Sequence, residues 1–85
     1  MKVLIPSPLR SYTQRSWVDA TGSTLGQVLD DLDQQFPGIR FRMINEQDAV
    51  RPHVRFFVSG EALFRLSDSL QPNDELLIVQ ALSGG

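Results

Sequence analysis

The chain has 85 residues, of which 41% are hydrophobic and 21% charged, enough for one small domain and too apolar for a disordered segment. Its 8 Lys and Arg against 10 Asp and Glu leave a formal net charge of −2, so there is no basic field to hold nucleic acid or an anionic membrane. The absence of cysteine excludes a disulfide framework, a zinc knuckle and a thiol nucleophile, and fits a reducing, cytoplasmic compartment.

No apolar run is long enough to span a bilayer, and Met1 leads straight into a strand-like segment instead of a signal peptide. Lys2 to Pro6 is apolar and β-branched and predicts a first strand, with Val3 and Ile5 on one face and Leu4 and Pro6 on the other. Arg10 to Gln14 is polar and suits a hairpin connection into a second strand from Arg15 to Ala20. Thr24-Leu25-Gly26-Gln27 has the form of a capping box. Beyond it Leu25, Val28, Leu29, Leu32 and Phe36 make one apolar stripe, which predicts a helix from Leu25 to Phe36 stopped by Pro37-Gly38. Ile39 to Ile44 is a short strand or irregular, and Asn45 to Asp48 is a loop. His53 to Ser59 is the strongest strand pattern, followed by apolar anchors at Leu63, Phe64, Leu66 and Leu70 in a less regular stretch. Gln71 to Asp74 is a turn by composition, and Leu76 to Ala81 is a final strand.

This order of elements predicts an α+β domain, with one main helix packed across a mixed sheet of four to five strands. If the first and last strands lie in the middle, the arrangement is the β-grasp, or ubiquitin-like, fold. The domain is expected to span residues 1–81, and residues 82–85 to form a flexible tail. The core is expected at Val3, Ile5, Leu25, Val28, Leu29, Leu32, Phe36, Phe56, Val58, Leu76 and Ile78.

Nothing inside the domain has the pattern of a catalytic or metal site. His53 is the only histidine, and at a strand start a lone His is more simply a solvated residue. Asp30, Asp31 and Asp33 spread around the polar half of the helix and read as a solvated face. Trp17 reads as core or strand-face packing, and the glycines are too scattered to cradle a phosphate.

The C-terminus stands apart. Gly84-Gly85 follows directly on the last strand and Leu82-Ser83, and at an average glycine content of about 7% a terminal pair arises by chance in roughly 0.5% of chains. A frayed end or a leftover of cloning is the plain explanation. The chemical one is that residues without Cβ can thread a narrow tunnel in a partner. The terminal carboxylate of Gly85 is then the reactive group. Adenylation makes it an acyl-adenylate, which sulfide or a persulfide converts to a thiocarboxylate.

The stretches Lys2-Val3-Leu4-Ile5-Pro6 with Leu9-Arg10, Thr24 to Leu32, Phe36-Pro37-Gly38-Ile39, Arg51-Pro52-His53-Val54, Phe57 to Glu61, and Asn73 to Leu76 with the terminal Gly84-Gly85 resemble, in order, the MoaD/ThiS family of sulfur carriers. That resemblance implies a carrier, not itself an enzyme, with sulfur attached at Gly85 and with Leu82, Ser83 and Gly84 as the segment entering the partner's tunnel. It implies an E1-like adenylating enzyme that uses ATP, a sulfur donor and a sulfur-accepting synthase as partners, with no cofactor or metal bound by the carrier. The opening Ile-Pro and Leu-Arg pairs and the Thr-Leu-Gly at the helix start resemble carriers for cysteine synthesis. The tail lacks the prolines usual in molybdopterin-type members, and the chain is longer than the usual thiamine-type carrier. Two other functions remain open on the sequence: a ubiquitin-like modifier conjugated through Gly85, and an interaction domain whose diglycine is incidental. Strand alternation also sends Leu4, Pro6, Leu77 and Val79 to the face opposite the core, where they would form one apolar partner-binding patch unless the Leu63–Leu70 segment covers it.

Overall fold

The computed structural model describes residues 1–81; the expectations placed on Leu82, Ser83, Gly84 and Gly85 lie outside the described residues. Five short strands, β1 (Lys2–Leu4), β2 (Trp17–Asp19), β3 (Val54–Val58), β4 (Glu61–Leu63) and β5 (Glu75–Gln80), form one sheet in the order β2-β1-β5-β3-β4. The first and last strands are its centre, as a β-grasp requires. They pair in parallel, with Val3 opposite Leu76, while every other pair in the sheet is antiparallel.

One face of the sheet is covered by α2 (Leu25–Gln35). Its Leu25, Val28, Leu29 and Leu32 are fully buried against Val3, Ile5, Val54, Phe56, Leu76 and Ile78, so the apolar stripe read from the sequence is the helix's core face. Thr24 Oγ1 accepts from the Gln27 amide at 3.2 Å, and Gln27 Oε1 reaches back to the Ser23 amide at 2.7 Å. The capping box therefore forms, reaching one residue further back than its ideal version. Of the predicted core, Phe36 and Val58 are only partly buried; the rest is enclosed.

The structure corrects the sequence reading in three segments. Arg10 to Gln14, expected as a hairpin connection, instead holds a short helix, α1 (Arg10–Thr13), entered through a 3-10 turn (Ser7–Leu9). Proline suits the first turn of a helix because the N–H it lacks would have had no partner there, and Pro8 occupies such a position. The Ile39–Ile44 segment is a helical turn, α3 (Ile39–Met43), with Ile39 and Met43 buried one turn apart. Asp33 Oδ1 accepts from the Gly38 and Arg40 amides at 3.1 and 3.2 Å, and Gly38 takes φ 97° to join the two helices, a conformation that costs glycine nothing. Finally, Ser59-Gly60, both at positive φ, turn the chain tightly into β4, a strand the sequence reading left irregular. Two central residues with positive φ are the hairpin turn whose twist matches the sheet.

The segment after β4 does not cover the outer face of the sheet. Its carbonyls at Leu66 and Asp68 accept from the Gly26 and Leu25 amides at 2.8 and 2.9 Å, and the Leu70 amide donates to Ser23 at 2.8 Å. It therefore supplies acceptors for the otherwise unpaired first amides of α2 and closes the end of the core with Leu70.

Candidate functional site: the outer sheet face and the root of the tail

Alternation along β5 buries Leu76 and Ile78 and turns Leu77 and Val79 to the face that α2 leaves open. Cα pairing aligns Trp17 with Leu4, Leu4 with Leu77, Leu77 with Phe57 and Phe57 with Ala62. An apolar row thus crosses the sheet from edge to edge. Trp17 is 42% and Val79 48% exposed, and Leu4, Leu77 and Phe57 are half-buried beside them. Three of the four residues assigned to the patch are therefore brought together.

Pro6 is not among them, because it is buried. The strand ends at Leu4 and Pro6 opens the 3-10 turn, its carbonyl accepting from the Leu9 amide at 2.9 Å. Strand alternation no longer applies at that residue. Trp17 and Phe57 were missed. Phe57 was legible, since Phe56 and Phe57 on one strand must face opposite ways; Trp17 required the register between β1 and β2.

The last described hydrogen bond before the tail runs from the Ala81 amide to the His53 carbonyl at 3.0 Å, so the chain leaves the sheet beside the start of β3. Around this point the surface is cationic and aromatic. The Arg51 guanidinium lies 4.6 Å from the centre of the Phe41 ring, and its Nε donates to the Phe41 carbonyl at 2.7 Å. Arg42 Nε donates to the Tyr12 hydroxyl at 2.8 Å, and that hydrogen bond, with the charge interaction behind it, raises the guanidinium pKa above its ordinary value. Phe41, Arg42, Arg51 and His53 line an open recess of about 290 Å³. Arg55, across from Val79 on the adjoining strand, donates to the carbonyls of Pro52 and Val54 at 2.7 and 2.8 Å.

No catalytic arrangement emerges among the described residues. Each helix carboxylate has a structural partner: Asp30 faces Arg40 Nε at 3.1 Å, Asp31 accepts from the Thr21 amide and Gln35, and Asp33 caps α3. Among the described residues no group of three or more His, Cys, Asp or Glu is placed to hold a metal ion, and no helix is long and apolar enough to cross a membrane.

Comparison with known proteins finds a match to the ThiS family over residues 3–85. The sulfur carrier protein CysO of Mycobacterium tuberculosis (strain ATCC 25618 / H37Rv) is 33% identical over 90 residues, covering 98% of this chain and 96% of that one. Among solved structures, a chain of the Amycolatopsis orientalis BexX/CysO complex superposes with a TM-score of 0.89 at 28% identity, covering 99% of this chain and 98% of that one. SAMP1 from Haloferax volcanii gives 0.78 at 26% identity, with coverage of 100% and 98%.

Proposed function

The chain belongs to the ThiS family, and from that premise we propose that it is a sulfur carrier of the cysteine-synthesis type whose cargo is held on the carboxylate of Gly85. An E1-like partner transfers AMP from ATP to that carboxylate, releasing pyrophosphate. Sulfide then attacks the acyl carbon and expels AMP, leaving a thiocarboxylate. The carrier delivers this sulfur to a synthase-type enzyme and regains its carboxylate. The observation that carries the reading is the collinear likeness to CysO, with the family match running through to Gly85 itself.

The internal chemistry agrees with a carrier that is a co-substrate and not a catalyst. The sequence has no cysteine that could compete for the sulfur, and the titratable side chains of α2 are engaged in capping and pairing. In this reading residues 1–81 are the body that partners grip, 82–85 are the segment inserted into their sites, and the work is done in the cytoplasm without a bound cofactor. Leu4, Leu77 and Val79, joined by Trp17 and Phe57, are the docking face, since a contiguous apolar row is an unusual thing for a small protein to leave open. The likeness to SAMP1 favours conjugation to other proteins as a second reading, at lower identity and lower TM-score than the CysO chains.

Intact-mass spectrometry after incubation with ATP, the cognate adenylating enzyme and sulfide decides between them. A gain equal to the difference between one sulfur and one oxygen atom supports the carrier. Mass added to other proteins supports the modifier, and an unchanged mass refutes both.

A further inference from the structure

Charge is unevenly distributed along the sheet. At the end where β5 begins, Asp19, Asp74 and Glu75 line one recess together with Met1 and Lys2. At the end where β5 finishes, roughly 17 Å away at the usual rise per residue, lie the exposed Arg42 and Arg55 and the half-buried Arg51. Neither ion pair among the described residues uses these three arginines, since both belong to Arg40. Around the root of its tail, a chain with net charge −2 therefore presents three arginines that make no ion pair among the described residues, with the Asp68 carboxylate nearby, accepting from the Phe64 amide at 3.0 Å.

The three guanidiniums do not converge. Arg42 and Arg51 line a recess with Phe41, which is 55% exposed, whereas Arg55 lines another, of about 200 Å³, with Phe64, which is 74% exposed. The start of β3 lies between them, His53 bordering the first recess and Val54 the second. Each recess thus couples an exposed aromatic ring to arginine. The arginines are also held in place, by Tyr12, by the Phe41 ring and carbonyl, and by the Pro52 and Val54 carbonyls. Donors that converged on one point would suit a single phosphate; two separated aromatic–arginine recesses suit several carboxylates spaced along a protein surface, with apolar side chains between them. The site is continuous with the apolar row, because Arg55 and Val79 are paired across β3 and β5.

We propose that this end of the molecule is a cationic collar that receives an acidic protein surface, carrying carboxylates and apolar side chains, at the mouth of the site into which the tail is inserted. The identity of that partner as the adenylating enzyme rests on the carrier reading; the chemistry of the surface it presents does not. The apolar row would supply contact area, and the collar would align the tail with the mouth and accelerate encounter. Steering of this kind is worth about 10- to 1,000-fold in association rate and fades with salt.

The test compares wild type, R42E/R55E and the charge-keeping R42K/R55K in ATP–pyrophosphate exchange by the cognate adenylating enzyme, at low and high NaCl. The expected result is a KM for the carrier that rises at least about tenfold in R42E/R55E with the effect on KM and not on kcat. R42K/R55K should remain near wild type, and only carriers with the collar should lose affinity in salt. Circular dichroism melts confirm that each variant is folded. An unchanged KM in folded R42E/R55E, or equal losses in both variants, overturns the proposal. A wild type that is never adenylated refutes the carrier reading instead, and an amide-shift titration with the peptide Glu-Leu-Glu-Phe-Glu then decides the collar alone. Salt-sensitive shifts at Phe41, Arg42, Arg51, Arg55 and Phe64, absent with the Lys-for-Glu peptide, uphold it. Equal shifts with inorganic phosphate, or none, overturn it.

Discussion

Val79→Asp tests the docking face at its most exposed position. Complete burial of a valine side chain is worth about 1.5–3 kcal/mol, and Val79 is already 48% exposed in the free protein. The folding cost of losing it is therefore about 1 kcal/mol, to which the poor strand preference of aspartate adds less than about 1 kcal/mol. Unfolding entropy of about 2.1 cal/mol/K per residue makes each kcal/mol worth roughly 6 °C in an 85-residue chain, so the melting temperature should fall by about 5–10 °C. Arg55 on the paired strand is positioned to meet the new carboxylate and hold the loss toward the lower figure. Docking should suffer more. The partner would lose the other half of the valine, about 1 kcal/mol, and would trap a carboxylate against apolar surface for a further ~1–3 kcal/mol. The sum, about 2–4 kcal/mol, corresponds to a Kd weakened about 30- to 1,000-fold. Isothermal titration calorimetry with the adenylating enzyme reads the affinity, and circular dichroism the fold. Wild-type affinity in a folded V79D protein would refute the docking face, and an unfolded V79D would mean that Val79 carries more of the fold than its exposure allows.

Leu32→Ala empties a fully buried position under the sheet and should cost about 2–5 kcal/mol in urea unfolding, most of the stability of a domain this small; a loss under 1 kcal/mol would contradict the packing of α2. Gly22→Ala should destabilise strongly, because an added Cβ at φ 151° would stand 2.7 Å from the Val28 amide nitrogen and 2.9 Å from the Gln27 carbonyl carbon, and a melting temperature equal to wild type would refute that geometry. Gly85→Val should leave the melting temperature within about a degree of wild type, since a chain end contributes little to packing, while abolishing ATP–pyrophosphate exchange; retained exchange would remove Gly85 from the reaction.

The parts of the fold legible in the sequence are those that repeat a physical signal over several residues. The stripe from Leu25 to Leu32 spans two turns and its cap is written in Thr24 and Gln27, so α2 could be placed to within one residue of its end. The parts that were not legible are too short for periodicity. α1 and α3 have four and five residues, where Ile39 and Met43 offer a single i, i+4 pair, as compatible with an irregular segment as with a helix. β4 could have been anticipated from Ser59-Gly60, a two-residue hairpin signal directly after the strongest strand. In the site, period-two alternation placed Leu4, Leu77 and Val79 and failed at Pro6, where the strand had already ended. The collar left no local trace at all. Phe41 and Arg42 lie on α3, Arg51 and Arg55 around the start of β3 and Phe64 just after β4, and it is the fold, not any local spacing, that brings these segments to the end where β5 finishes.

The same pairing that builds the core also fixes where the tail emerges and what surrounds it. β1 and β5 run parallel with Val3 opposite Leu76. Had β5 been antiparallel to β1, Ala81 would leave the sheet beside Asp19 and the acidic recess, not beside His53 and the arginines. A slip of one residue in the register would be equally disruptive, turning Leu77 and Val79 inward and exposing Leu76 and Ile78. Four fully or almost fully buried side chains, Val3, Phe56, Leu76 and Ile78, oppose that slip, each worth about 1.5–3 kcal/mol of burial. The proposed docking face and collar are therefore held in register by buried residues. Substitutions at Leu77, Val79 or the arginines can change recognition while the register stays locked, and substitutions at Leu76 or Ile78 should remove recognition only by removing the fold.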